Sequence, residues 1–156
     1  MSKQKSPQKV VIVPCSGIGK TYGTVSREAA YDVVEDLRPA ETQLIALSKL
    51  VLGDGAARSA VSDNPAITID GCKLACASKM VRESGGTLLQ EFAVLDVYRR
   101  YKQFKPHGIA ELNEGGLQLA HALAEEVAGI VDSHLQSPSP MVGSGDEAVM
   151  GEGGRE

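Results

Sequence analysis

Two short apolar runs decide the fold of this chain: Val10-Val11-Ile12-Val13, which Pro14 ends, and Ala66-Ile67-Thr68-Ile69, which Asp70 ends. Both are rich in β-branched residues and lack alternating polar side chains, which is typical of strands buried on both faces. A third extended segment is predicted over residues 87–94. A helical segment separates the last two strands, so they should be parallel neighbours joined by a right-handed crossover.

Helical periodicity surrounds these strands. Apolar residues recur at helical spacing in five segments, over residues 23–37, 41–52, 56–62, 72–83 and 115–135. In the second segment, Leu44, Leu47 and Val51 should face the core. The last segment has the clearest apolar stripe, formed by Ala120, Leu123, Val127, Ile130 and Val131. The sequence therefore predicts an α/β fold, a small three- to four-stranded mainly parallel sheet with helices on both faces.

Composition divides the 156 residues into one domain and two polar ends. Residues 9–135 hold the predicted core. Residues 1–8 are polar and basic, and residues 136–156 are rich in Gly, Ser, Pro and acidic side chains. Such segments bury too little apolar surface to offset the entropy of ordering them, so both ends are predicted to be disordered.

Charge and hydropathy argue against two classes of partner. The net charge is −4, and no basic residues cluster as a nucleic-acid-binding face would require. No apolar run approaches the roughly 18 residues of a membrane span, and the first residues lack the apolar core of a signal peptide. We therefore expect a cytoplasmic protein that binds neither nucleic acid nor membranes. The sequence does not indicate its oligomeric state.

The three cysteines of the chain are placed to meet at one edge of the predicted sheet. Cys15 directly follows the first strand, and Cys72 lies two residues past the end of the second. Ligands collect at the C-terminal edge of parallel strands, where both loops should lie. Cys72 and Cys76 are four residues apart, so they would share one face of the helix predicted over 72–83. The three thiols are therefore predicted to converge.

Convergent thiols point to a metal ion. Thiolates are preferred ligands of zinc, and helix N-termini favour the thiolate form. Three protein ligands would leave one coordination position for a further ligand or for water. The alternative is that each cysteine is a small buried hydrophobe. Position does not decide this for a single cysteine, but the shared location of all three favours a Zn²⁺ site.

Three short motifs resemble a known family. Pro14-Cys15-Ser16-Gly17, the central Asp70-Gly71-Cys72 and the following Cys76-Ala77 are similar to the DGC-domain proteins, which are named for the Asp-Gly-Cys motif. The resemblance covers residues 11–86. That family is regarded as zinc-binding because of four potential cysteine ligands, and its biochemical role is not established. The resemblance implies that Cys15, Cys72 and Cys76 are ligands of Zn²⁺.

The chain departs from the family pattern at the fourth cysteine. The corresponding segment here is Val51-Leu52-Gly53-Asp54, which contains no cysteine. Asp54, His107 and an exchangeable water are the candidates for the fourth position. Asp70 is either a further ligand or a cap of the following helix. An open fourth position would suit a catalytic or ligand-binding site better than a structural one.

The loop after the first strand comes close to a phosphate-binding motif. Residues 14–21 approach G-x-x-x-x-G-K-[ST], but Pro14 replaces the first glycine and has no N–H to offer a phosphate. A P-loop-like nucleotide binder is therefore the less favoured interpretation. Ser16, Gly17 and Gly19 remain a candidate anion-binding loop at the start of a helix.

These features lead to three functional hypotheses. The first is a zinc-binding protein of unknown pathway that delivers metal, senses it, or activates a thiol, with a small anionic or sulfur-containing molecule as partner. The second is a thiol redox or sulfur-carrier protein that uses Cys72 and Cys76. The third is the nucleotide binder. The sequence identifies no catalytic residue and does not decide whether the protein is an enzyme.

Overall fold

The computed structural model describes residues 8–136. Apart from Gln8 and Gln136, the two ends predicted to be disordered lie outside the described residues. The strands are β1 (Val10–Pro14), β2 (Thr42–Leu44), β3 (Pro65–Asp70) and β4 (Thr87–Ala93). The helices are α1 (Thr21–Tyr31), which continues as a π-helical segment (Asp32–Leu37), α2 (Leu47–Val51), α3 (Gly55–Asp63), α4 (Cys76–Glu83), α5 (Val94–Arg100) and α6 (Glu114–Gln136), with a 3₁₀ turn at Lys102–Phe104.

The four strands form one parallel sheet in the order β2-β1-β3-β4. This confirms the predicted fold class and the parallel pairing of β3 with β4. All five residues of β1 are buried, because helices cover both faces of the sheet. Successive side chains of a strand point to opposite faces, so Val10 and Ile12 enter one core while Val11 and Val13 enter the other.

The two cores divide the helices between the faces of the sheet. The larger core contains side chains of α1, the π-helical segment, α5 and α6, and the smaller contains side chains of α2, α3 and α4. The predicted stripe of α6 is confirmed, since Ala120, Leu123, Val127 and Val131 are fully buried and Ile130 is partly buried. No helix within 8–136 has the length and apolar character needed to cross a membrane.

The helix predicted over 41–52 is wrong in its first half. That segment forms the edge strand β2, in which Thr42 pairs with Val10, before α2 begins at Leu47. The ladder continues past β2, where the N–H of Ile45 donates to the carbonyl of Ile12 at 3.0 Å. The open edge of β1 therefore outweighs the local helical pattern. Val51, expected in the core, is 63% exposed.

The helix predicted over 72–83 begins later than expected, at Cys76. Residues 72–75 form a turn in which the N–H of Ala75 donates to the carbonyl of Cys72 at 3.2 Å. Ala75 adopts a left-handed conformation with φ of +51°, which ends any helical path from Cys72. Cys72 and Cys76 therefore do not share a helix face, and the prediction that they do is wrong.

Candidate thiol site

Cys15 and Cys72 lie at the point where the winding of the sheet reverses. From β1 the chain crosses to β2 on one side, whereas from β3 it crosses to β4 on the other. Loops that leave neighbouring strands in opposite directions open a crevice at the C-terminal edge, where α/β proteins bind ligands. Cys15 still belongs to the β1–β3 ladder, since its N–H donates to the carbonyl of Ile69 at 2.8 Å.

Ser26 fixes the backbone of Cys15 to β3. This serine lies in α1 and is fully buried. Its Oγ accepts the N–H of Cys15 at 3.1 Å and donates to the carbonyl of Ile69 at 2.5 Å. A buried hydroxyl with both kinds of partner is satisfied and holds its neighbours in register. The start of the loop after β1 is therefore anchored to both α1 and β3.

Three glycines, Gly17, Gly23 and Gly71, bring the two cysteine-bearing loops together, and we call this set the glycine contact. A methyl group on Gly17 would overlap the Cα of Gly23, and one on Gly23 would overlap the backbone of Gly17. A Cβ on Gly71 would lie 3.0 Å from the nitrogen of Gly23. Only residues without side chains allow both loops to lie against the first turn of α1. This close approach accounts for the glycine of the Asp-Gly-Cys motif.

Asp70 caps α4 from the end of β3. Its Oδ1 accepts the N–H of Ala77 at 2.8 Å, and its Oδ2 accepts the Oγ–H of Ser78 at 2.6 Å and the N–H of Ser78 at 3.3 Å. The hydroxyls of Thr68 and Ser78 lie 2.7 Å apart. Because Ser78 donates its only hydroxyl proton to Oδ2 of Asp70, Thr68 donates to Ser78. Of the two roles proposed for Asp70, the structure therefore shows the helix cap.

The three thiols differ in their surroundings. All three are free, with Cys15 buried at 7% exposure and Cys72 and Cys76 exposed. Cys76 is the first residue of α4. Among the described residues, no group of three or more His, Cys, Asp or Glu side chains is arranged to hold a metal ion. The thiols suit zinc as donors, but they do not form a preassembled ligand set.

Two separate pockets open beside Cys72 and Cys15. The Cys72 pocket, of about 390 Å³, lies at the ends of β3 and β4, and its lining includes Asp70, Cys72, Lys73, Phe92, Asp96 and Arg99. The Cys15 pocket, of about 300 Å³, lies at the ends of β1 and β2, and its lining includes Cys15, Ser16, Ile18, Arg27, Tyr31 and Ser48. The two cysteines therefore face ligand-sized spaces on opposite sides of the switch point.

Of the two protein candidates for a fourth ligand, Asp54 already has a partner for its side chain. Asp54 is the N-cap of α3, where its Oδ1 accepts the N–H of Ala57 at 2.8 Å. His107 is exposed in the loop before α6, and its backbone N–H donates to the Oδ1 of Asn113 at 2.9 Å. Neither belongs to a potential metal-binding group in the part of the chain that the structure describes.

The candidate anion loop has the backbone of a tight turn. Gly17 and Gly19 have φ values of +41° and +78°, and the N–H of Lys20 is used within the turn, on the carbonyl of Gly17 at 3.1 Å. Arg27, which was not predicted as a site residue, donates from its guanidinium to the carbonyl of Ser16 and to the hydroxyl of Thr24. No local motif marks Arg27, because only the fold of α1 brings it to the loop.

A comparison with protein families agrees with the motifs. The family model described as DGC domain matches residues 11–115, from β1 to the start of α6. No curated protein and no solved structure matches the chain. The match spans more than half of the sequence and includes both cysteine-bearing loops, α5 and the glycine contact. The chain therefore belongs to the DGC-domain family.

Proposed function

We propose that this DGC-domain protein binds a zinc ion at the C-terminal edge of β1 and β3, with Cys15, Cys72 and Cys76 as its ligands. One observation supports this most directly: all three cysteines lie in or beside the two loops that the glycine contact presses together at the switch point. Thiolates at such a place are suited to zinc, and three of them leave an exchangeable fourth position. Free cysteines also fit a reducing, cytoplasmic location.

Gathering the three thiols requires the turn at 72–75 to move. Cys72, Lys73 and Leu74 are exposed, so this turn can change its course without disturbing either core. The left-handed backbone at Ala75 already carries strain of roughly 1–2 kcal/mol. Zinc binding to cysteine-rich peptides contributes roughly 10–16 kcal/mol, which far exceeds the free energy of such a local rearrangement. We therefore expect metal binding and the conformation of this turn to be coupled.

An exchangeable fourth position favours a function in which the metal ion, or a molecule bound to it, is exchanged with solution. Metal delivery, metal sensing and activation of a bound thiol all need access from solvent, and the exposure of Cys72 and Cys76 provides it. A purely structural site would be closed by four protein ligands. The proposed role is therefore that of an accessible thiolate–zinc centre.

Metal analysis of anaerobically purified protein tests this proposal. We expect about one zinc per chain in the wild type and its loss in Cys15→Ser, Cys72→Ser and Cys76→Ser. Asp54→Asn keeps the capping ability of residue 54 and tests the first candidate for the fourth ligand. His107→Ala tests the other candidate ligand. A folded wild-type protein that takes up no zinc would contradict the proposal, as would full zinc content in Cys15→Ser.

A thiol redox function is the second candidate, because Cys72 and Cys76 are both exposed and flank one turn. This function requires a protein that stays metal-free. Mild oxidation should then join Cys72 and Cys76 in a disulfide, which lowers the intact mass by the mass of two hydrogen atoms. Cys72→Ser should abolish that change, whereas Cys15→Ser should not.

A further inference from the structure

The Cys72 pocket combines charges of both signs with a thiol. Lys73 and Arg99 bring positive charge, whereas Asp70, Glu91 and Asp96 bring negative charge. Phe92 and Leu95 add apolar lining. The volume of about 390 Å³ is near the lower end of the roughly 300–1,000 Å³ of small-molecule sites. This mixture suits a small ligand that carries both a cationic and an anionic group.

The two cations can be reached by a ligand. Arg99 pairs with Asp96 at 2.9 Å, but both side chains are more than half exposed, and such pairs hold together only weakly. A ligand carboxylate can therefore replace Asp96 on the guanidinium, which has further N–H donors to offer. Lys73 has no ion pair within residues 8–136.

Asp70 and Asp96 provide the complementary negative charge. The buried carboxylate of Asp70 accepts one hydrogen bond at Oδ1 and two at Oδ2. A carboxylate has about four acceptor sites, so Oδ1 retains capacity for a donor from the pocket. Glu91 also lines the pocket and pairs with Arg82 at 2.7 Å. An ammonium group in the pocket would thus find Asp70 at its inner end and Asp96 at its rim.

We propose that the Cys72 pocket binds a small thiol that also carries a carboxylate and an ammonium group, as cysteine does. Its carboxylate lies at Lys73 and Arg99, its ammonium at Asp70 and Asp96, and its sulfur beside Cys72. This inference deepens the proposed function, since it names the class of molecule that the thiolate centre serves. Recognition of the two charged groups does not itself need the metal.

Four probes separate the parts of this recognition. L-Cysteine has all three groups, L-serine replaces the thiol by a hydroxyl, cysteamine lacks the carboxylate, and 3-mercaptopropionate lacks the ammonium group. Binding of each to the full, reduced chain is measured by ligand-observed NMR and calorimetry, with and without zinc. We expect L-cysteine to bind most tightly, and the loss of the carboxylate or of the ammonium group to weaken binding by about tenfold, because a charge-assisted hydrogen bond is lost.

Variants locate the ligand in the pocket. Arg99→Gln should weaken the binding of L-cysteine by about tenfold but should not weaken the binding of cysteamine, because only the carboxylate contacts residue 99. Arg58→Gln, on the exposed surface of α3, is the matched control and should change neither. Cys72→Ser should remove the preference for L-cysteine over L-serine.

The outcomes distinguish this inference from the proposed function. If L-cysteine does not bind, or if Arg99→Gln weakens the binding of cysteamine as much as that of L-cysteine, the inference is wrong even where the protein contains zinc. If L-cysteine binds the metal-free protein as expected but no zinc is taken up, the inference stands and the zinc proposal fails. Circular dichroism confirms that each variant is folded.

Discussion

Gly71, the middle residue of the Asp-Gly-Cys motif, lies against Gly23 in the first turn of α1, so closely that a Cβ on Gly71 would be 3.0 Å from the nitrogen of Gly23. The backbone of Gly17 contacts the same residue from the loop after β1. One position in α1 thus controls how far apart the Cys15 and Cys72 loops lie. The geometry of the candidate site depends on the absence of side chains at these three positions.

Replacing Gly23 by alanine should destabilise the protein although alanine is the better helix former. Alanine in a helix gains about 1 kcal/mol over glycine, but the added methyl would overlap the backbone of Gly17, which cannot turn away as a side chain can. We expect a net loss of about 1–3 kcal/mol in the free energy of unfolding. Urea denaturation measures it.

Gly129→Ala in α6 is the control for this substitution. A Cβ on Gly129 would meet nothing within 4 Å, so this variant should gain about 0.5–1 kcal/mol from helix propensity alone. Equal stabilisation by Gly23→Ala would show that the glycine contact does not constrain the loops.

Asp70→Asn should weaken the junction of β3 with α4. The amide would keep one acceptor oxygen but would present a donor toward the N–H of Ala77 or the hydroxyl of Ser78. A buried donor then loses its partner, which reduces stability by about 1–3 kcal/mol. Asp54→Asn is the control, because asparagine caps a helix about as well as aspartate does. Equal stability changes in the two variants would contradict the capping role of Asp70.

The pair between Arg38 and Asp132 should make stability depend on pH. The guanidinium of Arg38 donates two hydrogen bonds of 2.6 Å to this carboxylate and holds the pKa of Asp132 below its ordinary value of 3.8. A lowered pKa in the folded state means that the ionised carboxylate stabilises the fold above about pH 4, and that this stabilisation disappears as the pH falls through the lowered pKa.

Asp132→Asn therefore should melt below the wild type at about pH 7, and the difference in melting temperature should narrow progressively as the pH falls below about 4. Scanning calorimetry across this pH range measures the difference in melting temperature. Asp63→Asn is a matched control, since the carboxylate of Asp63 makes no ion pair among residues 8–136. A gap of constant size at all pH values would mean that the ion pair is not its cause.

The thiols should react in two classes. In the reduced, metal-free protein, Cys72 and Cys76 should react rapidly with a disulfide reagent, whereas buried Cys15 should react only slowly. Ser26→Ala should speed the reaction of Cys15 and lower stability by about 1–2 kcal/mol, because the carbonyl of Ile69 and the N–H of Cys15 lose a shared partner.

Ser133→Ala is the control for Ser26→Ala, because the hydroxyl of Ser133 is exposed on α6. It should leave both the reaction rates and the stability nearly unchanged. Three equally fast thiols in the wild type would contradict the burial of Cys15.

The sequence predicted the elements that local pattern determines. β1 and β3 are short, mostly apolar runs and α6 has a regular apolar stripe, and the structure confirms these elements and the third predicted strand, β4. β2 has only three residues and becomes a strand because the edge of β1 is open beside it, so no local signal could identify it. The start of α4 was placed too early because the capping bonds from Asp70, which lie outside the helical pattern, begin the helix at Cys76.

The sequence suggested a candidate site through its three thiols, but it did not indicate the residues that support their loops. The three cysteines were identified from their position after strand ends. Ser26, Arg27 and Ser78 were not identified, because each is one polar residue on a helix whose partner lies elsewhere in the chain. Arg99 could not be predicted as a pocket residue, because in the sequence the short basic run around it looks like an ordinary solvated face. Only the fold places Arg99 in the lining of the Cys72 pocket.

β1 and β3 are neighbours in the sheet, yet α1, β2, α2 and α3 all lie between them along the chain. Their pairing requires the closure of a long loop, and contacts of this kind form late in folding. During synthesis, a chain that has emerged only as far as α3 carries Cys15 without its two partner thiols. The candidate site therefore forms only after β1 and β3 have paired. Only chains that have reached the complete fold can use it.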